Sequence, residues 1–205
     1  DYLEASPEKT LSSPELIQNM LGVCKDLYSG KPGDDTTVSV MHVMMPQTVA
    51  LFSGPPKDNA DDKKLIKDYM GVKGPHIVCG GTSSQIVARE LGRELKVNLD
   101  FSNPGIPPTA TIEGIDLVTE GVLTIKKVIE LMDEYANLPA AQKTIDDLDA
   151  PNGAAQLAKM LVERCTDLQL FIGKAVNPAH SMSDFPTELR VKSRLLDDLA
   201  AQLEK

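Results

Sequence analysis

The amino-acid sequence predicts an α/β fold in which a mainly parallel sheet is flanked by helices, a Rossmann-like architecture. From residue 46 onward, short apolar runs, most of them followed by glycine, alternate with amphipathic helical segments. This alternation is typical of right-handed βαβ units. The runs HIVC (76–79) and LQLFIG (168–173) are almost continuously apolar, which predicts strands covered on both faces.

The first 45 residues follow a different pattern, with one helix and one strand. SSPELIQNMLGVCKDLYSG (12–30) has apolar residues at helical spacing, with Ser13 as the expected N-cap and Pro14 in the first turn. TTVSVMHVM (36–44) is predicted to be a strand with one largely buried face. Pro46 interrupts this run. We therefore predict two units, residues 1–45 and residues 46–205.

The elements of the second unit are predicted from apolar periodicity and from glycine or proline at their ends. In chain order they are a strand at 48–54, a helix at 58–71, a strand at 75–81, a helix at 82–95, a short strand at 94–101, a proline-rich loop at 102–109, a strand at 114–121, helices at 122–138 and 152–165, the LQLFIG strand, and a last helix at 185–205.

Composition excludes several classes of function. The net charge is −9 with a pI near 4.8, so we expect no binding to nucleic acid or to anionic lipid, both of which need a basic surface. No apolar run approaches the roughly 18 residues of a membrane span.

The three cysteines are far apart, which predicts neither a disulfide framework nor a zinc site and favours a cytoplasmic location. The start lacks both a signal peptide and an initiator Met, so we expect a longer parent chain.

The turn after the HIVC strand is the first candidate binding site. Gly80 and Gly81 let the backbone approach a ligand closely, and Thr82, Ser83 and Ser84 open the next helix. Unpaired N–H groups and the positive end of the helix dipole favour an anion at such a position. The sequence matches neither GxGxxG nor the P-loop, so no particular nucleotide is predicted. The alternative is that Thr82 or Ser83 only caps the helix.

Two further segments are predicted to lie at the ends of strands, where ligands bind in open α/β sheets. In the first, Thr119 and Glu120 end a strand and Glu113 precedes it. The carboxylates of Glu113 and Glu120 could hold a hydroxyl, an amine or a metal. The alternative is that they only lie at a helix start and in a solvent-exposed turn. In the second, GKAVNPAHS (173–181), the polar groups of Asn177 and His180 could read a ligand. His42 and His76 are predicted to be structural or exposed and not catalytic.

Asp34 and Asp35 lie in GKPGDDTTVSV (30–40). Taken alone they predict a turn, because Gly-Asp-Asp is good turn chemistry. Mg²⁺ or Mn²⁺ needs an octahedral set of carboxylate and water oxygens, and one loop cannot supply enough of them.

SSPELIQNMLGVCKDLYSGKPGDDTTVSVMHV resembles the closing helix and strand of the SpoIIE-type family, bacterial metal-dependent 2C-type Ser/Thr protein phosphatases. In that family the first aspartate of the closing signature is a metal ligand. The resemblance therefore implies Asp34 as a ligand of Mn or Mg, an upstream phosphatase domain and a phosphoprotein substrate of the parent enzyme. Asp35 and Thr36-Thr37 then shape the loop.

The rest of the chain resembles the C-terminal extension of a subgroup of these proteins through LFSGPP, CGGTSSQIVARELG, IPPTATIEGIDLVTEGVLT and GKAVNPAH. The family's other metal carboxylates come from earlier strands that this sequence does not contain. A two-metal site needs several carboxylates, so we expect no phosphatase activity from this segment alone.

Three hypotheses follow. In the leading one, residues 1–45 are a remnant of a phosphatase domain, and residues 46–205 bind a small anionic ligand in the strand-end crevice and regulate the parent enzyme. The second is a free-standing α/β enzyme with Glu120 or His180 as its acid–base group, although no nucleophile–base set is visible. The third is a structural domain that pairs subunits, for example in a homodimer.

Overall fold

The computed structural model describes residues 12–31, 33–98, 108–138, 141–173 and 185–204, and for residues 185–193 only the helical backbone. Its fold is α/β with a mostly parallel sheet flanked by helices, as the sequence predicts. The helices are α1 (Ser13–Leu27), α2 (Asp62–Met70), α3 (Gly81–Leu91), α4 (Val122–Asn137), α5 (Gln142–Leu148), α6 (Gly153–Arg164) and α7 (Phe185–Leu203). The strands are β1 (Thr48–Ser53), β2 (His76–Cys79), β3 (Lys96–Val97), β4 (Ala110–Thr111), β5 (Leu117–Thr119) and β6 (Asp167–Ile172).

The six strands form one sheet in the order β3-β4-β5-β2-β1-β6. Strands β5, β2, β1 and β6 are parallel, whereas β4 is antiparallel to β5 and β3 is antiparallel to β4. Ser53 pairs with Cys79 on one side and with Ile172 on the other, and Cys79 pairs with Thr119. The four parallel strands therefore end level with one another at a common carboxyl edge.

Two hydrophobic layers cover the sheet because alternate strand residues point to opposite faces. On one face, α2 and α3 pack over Ala50, Phe52 and Val78. On the other face, α4, α6 and α7 pack over Val49, Leu51 and related positions. The connections after β1 and β2 thus lead to one face, and those after β5 and β6 lead to the other. The helices that follow the neighbouring strands β2 and β5 therefore lie on opposite faces of the sheet, and so do those that follow β1 and β6. α/β proteins commonly bind ligands at the carboxyl ends of such strand pairs.

Most of the predicted elements of residues 46–205 are present, with four differences, one of which is that strand β4 (Ala110–Thr111) is absent from the predicted elements. The HIVC strand is buried at every position, as predicted. The LQLFIG strand is not covered on both faces: β6 forms one edge of the sheet and is only partly buried. Helix α5 is absent from the predicted elements, because its seven residues make too short an apolar stripe to stand out. The short strand predicted at 94–101 is reduced to Lys96–Val97 within the described residues.

The strand predicted at 36–44 is wrong, because residues 35–47 adopt no regular secondary structure. A strand is held by hydrogen bonds to a neighbouring strand, and the described part of the chain places no strand beside this segment. Helix α1 forms as predicted, although its cap is Ser12, one residue earlier than expected. Pro14 is its one buried residue. Among the described residues before residue 46, Pro14 alone is buried. The predicted boundary at residue 45 stays a prediction.

Candidate functional site

The candidate site is the carboxyl edge of the sheet, where the turn after β2 meets the turn after β5. Gly80 has φ +116° and ψ 140°, a conformation that residues with a side chain rarely adopt. Its N–H donates a hydrogen bond to the carbonyl of Thr119 at 2.9 Å. This bond ties the two turns together, and α3 begins directly after it.

Three helices begin around Thr119. Helix α3 starts at Gly81 and α4 at Val122, while α6 starts at Gly153. Gly153 approaches so closely that a Cβ there would lie 2.9 Å from Cγ2 of Thr119. Because the N-terminus of each helix carries partial positive charge, the carboxyl edge at Thr119 is electropositive in its backbone.

Two of these three helix starts are capped by the protein itself. Oε2 of Glu120 accepts a hydrogen bond from the N–H of Leu123 at 3.2 Å, in the first turn of α4. Oδ1 of Asn152 accepts one from the N–H of Ala155 at 2.9 Å, in the first turn of α6. The start of α3 differs, because no side chain among the described residues caps it. At the start of α3, the backbone N–H groups of residues 81–83 therefore have no side-chain acceptor among the described residues.

The three predicted hydroxyl residues do not play the same part. The buried Ser83 hydroxyl accepts a hydrogen bond from the N–H of Gly54 at 2.7 Å, which holds the turn after β1 against α3. The Ser84 hydroxyl donates to the carbonyl of Gly80 at 2.8 Å. Thr82 is exposed. The two serines thus build the turn, and Thr82 is the hydroxyl placed to reach a ligand.

Thr119 lies at the edge as predicted but is buried, and its hydroxyl donates to the carbonyl of Glu120 at 2.8 Å. Glu120 also lies there, with its carboxylate on the first turn of α4. A carboxylate in that position stabilises the helix and repels a second anion nearby, which leaves α3 as the better anion position.

Glu113 does not belong to this site. It lies in the turn between β4 and β5, at the amino end of β5, where the Glu113 carbonyl accepts a hydrogen bond from Arg93 at 2.5 Å. Arg93 follows the C-terminus of α3, which begins at the carboxyl edge. The prediction that Glu113 shares the crevice is therefore wrong: it lies at the opposite edge of the sheet, because β4 and β5 form an antiparallel hairpin.

The remaining predicted ligand residues, Asn177 and His180, lie outside the described residues. Of the other two histidines, His76 is buried and its Nε2 lies 3.0 Å from the carbonyl of Tyr69. His42 lies in the segment without regular structure.

Asp34 is exposed and lies in the segment that follows α1. Its Oδ1 accepts a hydrogen bond from the N–H of the next residue, Asp35, at 2.9 Å. Lys25 and Lys31 line the same pocket of about 400 Å³. Within the described residues, no three His, Cys, Asp or Glu side chains come together as a metal site. By themselves, the described residues around Asp34 supply too few oxygen ligands for a divalent cation.

A second cleft, which the sequence patterns do not predict, lies between α1, residues 42–44, and the helices α4 and α6. It measures about 620 Å³, and Glu15, Tyr135, Lys159 and Glu163 are among its lining residues. Lys159 forms ion pairs with Asp149 and, at 3.9 Å, with Glu163. Partial burial raises the pKa of Glu163 above its ordinary value. The spacing of Lys159 and Glu163 is visible in the sequence, but the position of α1 across the cleft from α6 is not.

Comparison with known proteins identifies no relative: no family model, no curated protein and no solved structure matches the chain. Among the described helices, none combines the length and apolarity required to cross a membrane.

Proposed function

We propose that this chain is the C-terminal part of a cytoplasmic SpoIIE-type protein Ser/Thr phosphatase, and that its α/β unit binds a small anionic ligand and regulates the parent enzyme. Two features support the phosphatase assignment. The motif around Asp34 resembles the family's closing signature. Helix α1 and residues 35–47 are also poorly covered, with Pro14 as the one buried residue of α1, as expected for a piece of a larger domain.

The start of α3 carries the ligand proposal. Gly80, with φ +116°, forms the turn from β2 into α3, and no described side chain caps the N–H groups of residues 81–83. Oriented N–H groups at a helix N-terminus bind phosphate and carboxylate groups. We therefore place the anion on these three N–H groups, with the Thr82 hydroxyl as an additional ligand.

In this proposal, the parent's catalytic metals are Mn or Mg held mainly by carboxylates outside this chain, with Asp34 as one ligand. This chain alone is then not a phosphatase. Its role is regulatory: a ligand that binds one arrangement of the two units better than another shifts the population toward that arrangement.

The experiment uses two substitutions at Gly81, the first residue of α3. Gly81→Pro removes one N–H donor, and proline is well tolerated at the first position of a helix. Gly81→Ala adds a methyl group where no atom lies within 4 Å and keeps the N–H. The two variants thus separate the donor from the shape of the turn.

We expect phosphate, nucleotides or phosphorylated metabolites to raise the unfolding temperature of the wild-type chain and of Gly81→Ala. The loss of one charge-assisted bond of about 1.5–3 kcal/mol should weaken binding to Gly81→Pro at least tenfold. Equal stabilisation of both variants, or none of the wild type by any of these compounds, would contradict the ligand proposal.

A further inference from the structure

The cleft between α1 and α6 brings ionisable side chains of the two predicted units together. The first turn of α1, residues 12–15, forms one wall, and Tyr135 of α4 together with Lys159 and Glu163 of α6 lines the other. Helix α1 also contacts α5. The cleft therefore lies along the boundary between residues 1–45 and residues 46–205, where charges on one unit face charges on the other.

Three carboxylates surround one lysine at this boundary. The charges of Asp149, Glu163 and Glu15 all act on Lys159. Lys159 forms a direct ion pair with Asp149 and lies 3.9 Å from Glu163. Oε2 of Glu15 accepts hydrogen bonds from the N–H and the hydroxyl of Ser12, at 2.7 and 2.9 Å, which fix this charge on the first turn of α1. One lysine thus neutralises the three carboxylates only in part.

Glu163 is the carboxylate that this arrangement compensates least. Its side chain is 30% exposed, and within the described residues its one ion pair is the long contact with Lys159. Burial is the main cause that raises the pKa of Glu163; the charges of Asp149 and Glu15 raise it further, and those of Lys159 and Arg164 oppose the shift. The cleft therefore favours the neutral form of this side chain.

Two other titratable groups line the same cleft. Burial, followed by the charge of Glu163, raises the pKa of Tyr135 on α4, so this hydroxyl stays neutral when the pH falls. His42 is exposed, and a histidine gains a positive charge as the pH falls. A proton on His42 attracts carboxylates, whereas a proton on Glu163 removes a repulsion. The two effects can be separated by substitution.

We propose that Glu163 is a proton-controlled switch for the contact between α1 and α6: ionised Glu163 repels Glu15 of α1, and protonated Glu163 lets α1 pack against α6. With α1 in place the pKa of Glu163 is raised, so the packed state holds the proton more tightly. The contact is therefore strongest below pH 4.5, the ordinary value for a glutamate, and weakens as the pH rises through the raised value.

The switch deepens the proposed function and rests on it for its role. Helix α1 belongs to residues 1–45 and α6 to residues 46–205, so a change in their contact changes the arrangement of the two units through which we propose the parent enzyme is regulated. The contact itself depends only on residues of this chain.

The test follows hydrogen exchange of the α1 amides in the full chain between pH 8 and pH 4.5, in a phosphate-free buffer. A single helix of 15 residues is marginally stable in water, so its amides exchange when α1 leaves α6. After correction for the intrinsic exchange rate at each pH, we expect the protection of α1 in the wild type to rise as the pH falls. Glu163→Gln should raise the protection at pH 8 by about two- to fivefold, the contribution of a partly exposed charge pair, and should remove the pH dependence.

Three further variants isolate the repulsion between Glu15 and Glu163. Glu15→Gln removes the charge but keeps a side chain that can complete the capping box, and it should raise the protection of α1 as Glu163→Gln does. The two substitutions together should give less than the product of their separate fold-changes, because each removes the same repulsion. The matched control is Glu130→Gln, which removes a carboxylate paired with Lys127 on α4 and should leave the protection of α1 unchanged.

Several results would overturn the proposal. They are no rise in the wild type, an equal rise in the wild type and Glu163→Gln, a lower protection in Glu163→Gln, or independent effects of Glu15→Gln and Glu163→Gln. Loss of the pH dependence in His42→Gln but not in Glu163→Gln would assign the titration to His42. The measurements contain no anionic ligand, so failure of the anion site at α3 would not change their outcome, and failure of the switch would leave phosphate binding at α3 intact.

Discussion

At the scale of single residues, the buried side chain of Tyr69 contacts several elements of the core. Its hydroxyl donates to the carbonyl of Ile77 at 3.0 Å, and its ring lies against those of Phe52, His76 and Phe171 at centroid distances of 5.8, 4.9 and 5.5 Å. It thus joins α2 to three strands of the sheet. Burial, followed by the nearby charges of Cys79 and Asp116, raises the pKa of Tyr69 above its ordinary value of 10.0.

This shift predicts a loss of stability in alkali. Because the folded state holds the Tyr69 proton more tightly than the unfolded state, its contribution is complete below pH 10 and falls as the pH rises beyond it. Tyr69→Phe should lower the free energy of unfolding at neutral pH by about 1–3 kcal/mol, since the carbonyl of Ile77 loses its donor. The same variant should make the decline above pH 10 less steep.

Urea denaturation at a series of pH values measures both effects. The control is Tyr28→Phe, because Tyr28 is exposed and its loss should change neither quantity. An alkaline decline that is equally steep in wild type and Tyr69→Phe would show that Tyr69 is not its source.

At the scale of helices and strands, local signals and tertiary contacts contribute differently along the chain. Helix α6 begins with a capping bond from Asn152 and buries much of one face against the sheet. Helix α1 begins with a capping box formed by Ser12 and Glu15 but buries only Pro14. Equivalent caps should therefore differ in their effect on global stability, because α1 can unfold locally without the core.

We predict that Asn152→Ala lowers the free energy of unfolding by about 1 kcal/mol, the typical value for a lost N-cap. Ser12→Ala should change it much less and should instead increase hydrogen exchange within α1. Asn152→Ser keeps a capping oxygen and serves as the control. A loss from Ser12→Ala as large as that from Asn152→Ala would mean that α1 is part of the cooperative core.

The same comparison explains what could be predicted from the sequence. The apolar run HIVC and the apolar stripes of α4 and α6 can be recognised within their own segments of the sequence. Their secondary structure can therefore be predicted without knowledge of the tertiary contacts. The segment 36–44 has equally good strand residues, but a strand also needs a neighbour, which no local pattern provides. The apolar residues of LQLFIG predict a strand covered on both faces, but the sheet order places this strand at an edge.

At the scale of the whole molecule, topology decides which candidate residues meet. Level strand ends bring Gly80, Thr119 and Glu120 to one edge, as the rule for parallel sheets predicts. Glu113 lies in the turn that joins β4 to β5. Because these strands form an antiparallel hairpin, which the sequence does not show, this turn is at the opposite edge of the sheet. The capping role of Glu120 and the bond from the Ser84 hydroxyl to the Gly80 carbonyl are likewise not visible in the sequence.

The central claim is that the backbone N–H groups at the start of α3 hold an anion. Its most direct test is a titration of the ¹⁵N-labelled chain with inorganic phosphate and with phosphorylated metabolites, followed by amide NMR. We predict that the Gly81, Thr82 and Ser83 resonances shift first and in a saturable manner, while that of Leu123, whose N–H is bonded to Glu120, stays in place. Shifts confined to other parts of the chain, or no saturable shift, would contradict the claim.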